Sequence, residues 1–130
     1  SNIGTSVPKT AYQYEVGSNA SSTTYDAKIG LMYVSDYGFA TDPSAWTLTL
    51  ENYNNTTAIN SNWMYIGHDE WTITRDSDGP DSEFRIDKSG IVSSDLGTYN
   101  SNGVRPVFNL ESSVTYVSGD GTQSSPIRIN

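Results

Sequence analysis

The amino-acid sequence predicts a single α+β domain, built mostly of antiparallel strands with long loops and one or two short helices. Short runs of alternating apolar and polar residues, each bounded by Gly, Pro, Asp or Ser, predict strands joined by turns. Ser, Thr, Asn and Gly are frequent, and these residues favour turns over helix interiors. The length of 130 residues suits one domain with a core of its own.

The chain divides into a polar N-terminal segment, residues 1–24, and the main part of the same domain, residues 25–130. In the first segment, the alternation over residues 11–16 predicts an edge strand. The chain opens without an initiator methionine, and we expect it to be an excised ectodomain. The most apolar run, residues 27–34, has the length and the bounded ends of a buried central strand.

Short helices are predicted directly after this run. Ser35 or Asp36 can cap a first helix, because either side chain can accept a hydrogen bond from an unpaired amide of the first turn. A turn or second short helix is predicted to begin at Asp42, with Pro43 at its first position. The Asn-rich stretch 51–62 is predicted to be a polar loop.

The second half of the chain predicts a succession of short strands. The candidates lie at residues 63–66, 70–75, 83–87, 90–94, 104–110, 113–117 and 127–129. A tight turn with Gly90 at positive φ is predicted between the third and fourth of these. Pro106 has no amide hydrogen, so its strand is expected to have a free edge or a bulge there.

The charge balance excludes some partners. The chain has 7 basic and 15 acidic residues, a formal net charge of −8. Nucleic acid is not an expected partner, because a phosphate-binding surface needs clustered Lys and Arg, which are scattered here. Direct contact with an anionic membrane is disfavoured for the same reason. The absence of cysteine rules out a disulfide framework and thiolate chemistry.

An acidic cluster follows the strand predicted at residues 70–75. An EF-hand loop beginning at Asp76 would put Gly79 at position 4 and Pro80 at position 5, so the ligand register fails. A calcium ion in an irregular oxygen cage remains open, and no other cofactor is expected. The ligands of that cage would be Asp76, Asp78, Asp81 and Glu83. We favour the alternative of a solvated loop between two strands.

Enzymatic activity is not expected. His68 is the only histidine, and with Asp69 and Glu70 beside it the pattern for zinc is weak, so we interpret it as a loop residue. No Gly-x-Ser-x-Gly nucleophile motif occurs. Many carboxylate pairs are available for glycoside hydrolysis, but none lies in an apolar surrounding. A glycan-processing enzyme is therefore the least favoured interpretation.

The aromatic residues are the more informative group. Five of them lie in or beside polar, Asn-rich stretches: Tyr53, Trp63, Tyr65, Trp71 and Tyr99. Such rings suit carbohydrate or protein recognition, because they supply contact area at low entropic cost. The alternative is burial in a core that is short of aliphatic side chains. We favour that alternative for the two tryptophans, and neither interpretation for Tyr53 and Tyr99.

Three segments, taken together, resemble a module of Firmicutes surface and prepilin-like proteins. They are AKIGLMYVSDYGFA (27–40), NWMYIGHDEWTITR (62–75) and GVRPVFNLESSVTYVSGDGTQSSPIRI (103–129). The pattern of that family leads from an IGL(L/M) strand through a Trp-Thr segment to VRPV and a closing GDGT. The arrangement is also distantly similar to C-type lectin-like and formylglycine-generating-enzyme folds, although the catalytic cysteines of those enzymes are absent.

The resemblance implies a non-catalytic, extracellular head domain of a Gram-positive surface protein or type IV pilus-like protein, used for adhesion or ligand display. Its implied partners are a host or environmental glycan or protein, or neighbouring pilus subunits. A structural pilin or pseudopilin head without a ligand is the alternative. By analogy, ligand contacts fall in the variable stretch 75–102. The expected ligand-binding residues are Tyr53, Trp63, Tyr65, His68, Arg75, Tyr99 and Asn102.

Two residues are expected to have structural roles. Arg105 lies in an apolar segment, and a buried guanidinium without a partner is costly. It should therefore pair with a carboxylate, Asp36 or Glu70. Trp71 is expected to belong to the scaffold strand that precedes the acidic cluster.

Overall fold

The computed structural model describes residues 3–18, 20, 26–77, 79, 81–97 and 100–130. Within these ranges the α-helices are α1 (Pro8–Glu15), α2 (Val34–Phe39) and α3 (Thr56–Ser61), and the strands are β1 (Glu70–Arg75), β2 (Ser82–Ile86), β3 (Val92–Leu96), β4 (Tyr116–Ser118) and β5 (Arg128–Ile129). Short 3₁₀ helices cover Ile3–Thr5, Pro43–Ala45 and Leu50–Asn52. The predicted α+β class is confirmed.

The strands form two separate antiparallel units. Strands β1, β2 and β3 lie where strands were predicted and make a sheet in sequence order, and β4 pairs with β5 in a two-stranded ribbon. The predicted turn between β2 and β3 is confirmed, with Gly90 at a φ of 91°. Asp87 stabilises this turn, because its Oδ1 accepts hydrogen bonds from the amides of Ser89 (2.8 Å) and Ile91 (3.0 Å).

The predicted edge strand at residues 11–16 is wrong, because most of this stretch lies in α1. Pro8 begins the helix, where its missing amide hydrogen costs nothing and its φ is already helical. The helix packs closely on α2 at Gly38, where a β-carbon would lie 2.8 Å from Cγ of Pro8. Tyr12 and Tyr14 are both exposed, so their alternation does not mark the two faces of a strand.

The predicted central strand at residues 27–34 is also wrong. Its only ladder contact in the described structure is an isolated antiparallel bridge between Gly30 and Val107. Helix α2 begins at Val34, the last residue of the run. Its start is stabilised by Asp36, whose Oδ2 accepts a hydrogen bond from the amide of Tyr33 at 2.9 Å. Asp36 thus closes the helix start from inside the first turn, as in a capping box, and not as the cap residue itself.

The side chains of Asp42 and Asn55 each cap the start of a helix after α2. The predicted start at Asp42 is confirmed, since its Oδ1 accepts from the amide of Ser44 at 2.9 Å and opens a 3₁₀ helix. The stretch 51–62 is not the simple loop predicted. Asn55 caps α3 there by accepting from the amide of Thr57 at 2.9 Å, so these asparagines begin a helix as well as form turns.

Two further predicted strands do not form. Residues 63–66 make a turn after α3, in which the amide of Tyr65 donates to the carbonyl of Asn62 at 3.2 Å. Residues 104–110 form no regular strand, and only Val107 among them takes part in a β-bridge, next to Pro106, which has no amide hydrogen to donate. The last two predicted strands are confirmed as β4 and β5, with shifted or shortened bounds.

The core lies between the sheet and the helices and depends on aromatic rings. Its largest buried side chains are Met32, Val34, Tyr37, Leu50, Tyr53, Phe84, Ile86 and Val92. The ring centroids of Tyr37 and Tyr53 lie 6.0 Å apart, and their hydroxyls donate to the carbonyls of Gly90 and Gly38. Burial raises the pKa of both hydroxyls, which therefore stay protonated.

Among the described residues, no helix has the length and apolar character to cross a membrane.

Candidate binding groove

An open groove of about 1420 Å³ lies beside helices α1 and α2. Its walls come from these two helices, the extended segment 27–33, the turn that holds Trp63 and Met64, one residue of β1, and the segment 107–111. The groove is therefore assembled from parts that are distant in sequence and meet only in the folded chain.

Five aromatic rings line the groove: those of Tyr12, Tyr33, Phe39, Trp63 and Phe108. The side chain of Trp63 is 79% exposed, the highest value among the large apolar residues that the structure describes, and that of Phe108 is 65% exposed. The backbone amide of Trp63 donates to the carbonyl of Ala40 at 3.3 Å, which fixes Trp63 beside the end of α2. The exposed rings are thus carried by a folded frame and not by a free tail.

Strand β1 adds an apolar side chain to the groove. Ile73 lines it and is exposed, whereas the neighbouring Thr72 and Thr74 are buried. Thr72 Oγ1 donates to the carbonyl of Phe84 at 2.7 Å, and Thr74 Oγ1 donates to Oε1 of Glu15 at 2.5 Å. Because both hydroxyls have partners, their burial costs little. The strand therefore turns its isoleucine outward without leaving a polar group unsatisfied inside.

Four polar side chains complete the lining. Lys28 and Asn109 offer N–H donors, and Asp36 and Glu111 offer carboxylate acceptors. All four are exposed. The groove therefore combines an apolar, aromatic surface with donors and acceptors of both kinds.

Part of the backbone of the groove wall is already paired. The amide and carbonyl of Gly30 exchange hydrogen bonds with Val107, both at 2.9 Å, and the carbonyl of Met32 accepts from the amide of Ile73 at 3.0 Å. Pro106, next to this bridge, has no amide hydrogen to offer. At Gly30 and Val107 the wall consequently offers a ligand no free backbone group.

The structure corrects two of the predictions made for aromatic residues. The prediction of a recognition role for Tyr53 is wrong, because its side chain is 0% exposed and packs against Tyr37. The 3₁₀ helix that precedes it turns the ring inward. The preference for Trp63 as a core residue is also wrong, because it lies in a turn where a strand was expected.

The other predicted ligand-binding residues that the structure describes lie outside the lining of the groove. Tyr65 is half-buried, and its hydroxyl donates to the carbonyl of Lys88 at 2.8 Å. His68 and Arg75 are both exposed and do not line the groove. Asn102 is half-buried, and Tyr99 is outside the described residues. The groove residues that the sequence did not indicate, Tyr12, Phe39 and Phe108, carried no local signal that separates them from core residues.

The acidic cluster after β1 shows no metal site in the part of the chain that the structure describes. Asp76 is buried, Asp81 is exposed and Glu83 is half-buried, and no three carboxylate or imidazole side chains gather to hold an ion within the described ranges. Asp78, the fourth predicted ligand, is outside those ranges. The calcium cage that includes Asp78 thus stays untested, as the less favoured alternative to a solvated loop.

Arg105 pairs with Glu70, the second of its two predicted partners. Its Nη2 lies 2.8 Å from Oε2 of Glu70 and also donates to the carbonyl of Met64 at 2.7 Å. The Glu70 side chain is 4% exposed. Burial raises the pKa of Glu70, and the nearby guanidinium opposes that rise without cancelling it. The neighbouring Trp71 is half-buried in β1, and its amide donates to the carbonyl of Gly103 at 3.0 Å.

Comparisons of this chain with family models, with curated proteins and with solved structures found no match.

Proposed function

We propose that this chain is a non-catalytic binding module, used for adhesion or ligand display, and that its ligand occupies the groove. The observation that carries the proposal is the 79% exposure of Trp63 on the groove surface. Exposed aromatic anchors in a concave apolar site are typical of recognition surfaces. A location on the surface of a Gram-positive cell, within a type IV pilus-like or other surface protein, belongs to the same proposal and rests on the sequence resemblance.

The lining of the groove supports a binding role. Binding sites are usually concave and mostly apolar, with a few polar groups that orient the ligand. Ile73 and the aromatic rings supply the apolar surface here, and Lys28, Asn109 and the two carboxylates supply the orienting groups. A ligand that covers Trp63 would remove a large apolar area from water.

A structural head that packs against neighbouring subunits is the second candidate function. The β4–β5 ribbon favours it, because Tyr116, Val117, Ile127 and Ile129 are each at least half exposed. A two-stranded ribbon is marginally stable alone in water. A neighbouring subunit that covers these side chains would stabilise it.

The proposal is tested on an array that carries glycans and extracellular matrix proteins. The wild-type chain is expected to bind some components, and Trp63→Ala is expected to weaken that binding on the order of tenfold or more. Tyr116→Ala is the matched control, because it removes an exposed ring outside the groove. Binding that Trp63→Ala leaves unchanged, or no binding to any component, would refute the groove as the site. Concentration-dependent self-association that Tyr116→Ala removes would favour the structural head.

A further inference from the structure

We infer that the ligand of the groove is a neutral oligosaccharide of several sugar rings. This inference rests on the proposed binding function and adds the chemical class of the ligand. It follows from the size of the groove, its lining, the pairing of its backbone and its charge.

The size of the groove favours an extended ligand. Its volume of about 1420 Å³ exceeds the roughly 300–1,000 Å³ of a usual small-molecule site. A single sugar ring or a small metabolite would leave much of the apolar lining in water. A chain of several rings, or an extended polymer segment, would cover it.

The lining matches the two chemical faces of a sugar. A pyranose ring presents a flat C–H surface that stacks on an aromatic ring, and rings such as Trp63 and Phe108 are exposed for such contact. A sugar hydroxyl both donates and accepts hydrogen bonds. Donors at Lys28 and Asn109 and acceptors at Asp36 and Glu111 can therefore both be used by the same ligand.

The partial pairing of the backbone makes the groove a poorer site for an added peptide strand than a free strand edge would be. Peptides that bind as added strands use the free amides and carbonyls of a strand edge. Gly30 is already bonded to Val107, Met32 to Ile73, and Pro106 lacks a donor. A ligand that is recognised by side chains alone does not need such an edge, and an oligosaccharide is a ligand of that kind.

The charge of the chain disfavours anionic members of this class. The chain has a net charge of −8, which repels polyanionic glycans at a distance. The lining itself holds two carboxylates, Asp36 and Glu111, against one ammonium, Lys28, so it adds to this repulsion. A neutral oligosaccharide avoids it.

The test uses a microarray of neutral oligosaccharides, acidic oligosaccharides and extended peptides, followed by calorimetry on the best soluble probe. Neutral probes of three or more rings are expected to bind, and more tightly than the corresponding disaccharide. Trp63→Ala and Phe108→Ala are each expected to lower the affinity on the order of tenfold or more. Trp63→Phe should retain part of it, and Tyr116→Ala all of it. Binding should change little with salt, because no charge is neutralised.

The possible outcomes separate this inference from the proposed function. Trp63-dependent binding of acidic oligosaccharides or peptides, without neutral ones, would overturn the inference and leave the binding function standing. If a disaccharide and longer chains bound with equal affinity, the inference that the ligand has several sugar rings would be overturned. Absence of binding to every probe class, matrix proteins included, would overturn both.

Discussion

The guanidinium of Arg105 lies 2.8 Å from the carboxylate of Glu70, and this ion pair connects the sheet to two walls of the groove. Glu70 opens β1 and forms a bridge with Gly103, so the segment that leads to Val107 is held on the sheet edge. The same nitrogen of Arg105 donates to the carbonyl of Met64, the residue after Trp63. One guanidinium thus positions both the turn that carries Trp63 and the segment that carries Phe108.

Arg105→Ala is expected to destabilise the fold by about 3 kcal/mol, because it leaves the Glu70 carboxylate buried without its cation. This is the lower end of the range for buried pairs, since the Arg105 side chain is 31% exposed. Urea denaturation at pH 7 measures the change. Arg128→Ala removes an exposed arginine of β5 and should change the free energy of unfolding by no more than about 0.5 kcal/mol. Equal stability of the two variants would contradict the role given to the pair.

Glu70 also predicts a specific pH dependence. Burial raises its pKa in the folded state above the unfolded value, so the folded state holds the proton more tightly. Its contribution to stability is therefore fully present below the unfolded pKa, about 4.3, and is lost as the pH rises through the folded pKa. The stability advantage of the wild type over Glu70→Gln should be larger at pH 4 than at pH 7. An advantage that grows with pH would contradict the raised pKa.

Asp87 predicts a contribution to folding stability that depends on pH in the opposite direction. Burial alone would raise its pKa, but hydrogen bonds from Ser89 and Ile91 outweigh burial and lower it. Its contribution is therefore present above the unfolded pKa, about 3.9, and is lost as the pH falls through the folded pKa. Asp87→Asn is expected to cost about 1 kcal/mol at pH 7, and chemical denaturation should show that cost shrinking below pH 3.9. A cost that stays constant to pH 2.5 would show that the carboxylate charge contributes nothing.

The sheet was predictable from sequence because its determinants are local. Alternation over residues 70–75 and the turn residues before Gly90 fix β1, β2 and the hairpin between β2 and β3 without help from distant parts of the chain. An ion pair of Arg105 was predictable for a similar reason, since a guanidinium in an apolar segment needs a carboxylate, although the sequence left Asp36 and Glu70 as alternatives. In both cases the physical requirement is visible in the residues themselves.

The groove was not predictable, because its walls meet only through tertiary contacts. The apolar run 27–34 has the composition of a buried strand, but Gly30 pairs with Val107, far away in sequence, and Asp36 begins a helix before a second ladder can form. Tyr53 and Trp63 both stand among asparagines, yet the first is buried and the second is exposed. Their sequence neighbours are alike. The difference in burial between the two rings comes from the direction in which each turn points its side chain.

Gly90 and Gly121 form a matched pair for testing strain in turns. Both have positive φ, 91° and 86°. A β-carbon at Gly90 would lie 3.2 Å from Oη of Tyr37, whereas at Gly121 the nearest side-chain atom is 3.9 Å away. Gly121→Ala should cost about 1 kcal/mol from the backbone alone, and Gly90→Ala about 2 kcal/mol or more because it also displaces a core hydroxyl. Thermal unfolding of both variants measures the difference, and equal costs would show that the turn at Gly90 relaxes away from Tyr37.

Trp63 and Tyr53 should respond to truncation in opposite ways, although both are large rings. Tyr53→Ala removes a fully buried ring and leaves a cavity beside Tyr37, which is expected to cost about 3–5 kcal/mol. Trp63→Ala removes a ring that is mostly in water and should change the free energy of unfolding by no more than about 0.5 kcal/mol. Urea denaturation of the two variants, with circular dichroism as the readout, distinguishes them. A loss of 2 kcal/mol or more for Trp63→Ala would mean that the ring is packed in solution. In that case a loss of binding in the same variant would report on the fold and not on a ligand contact.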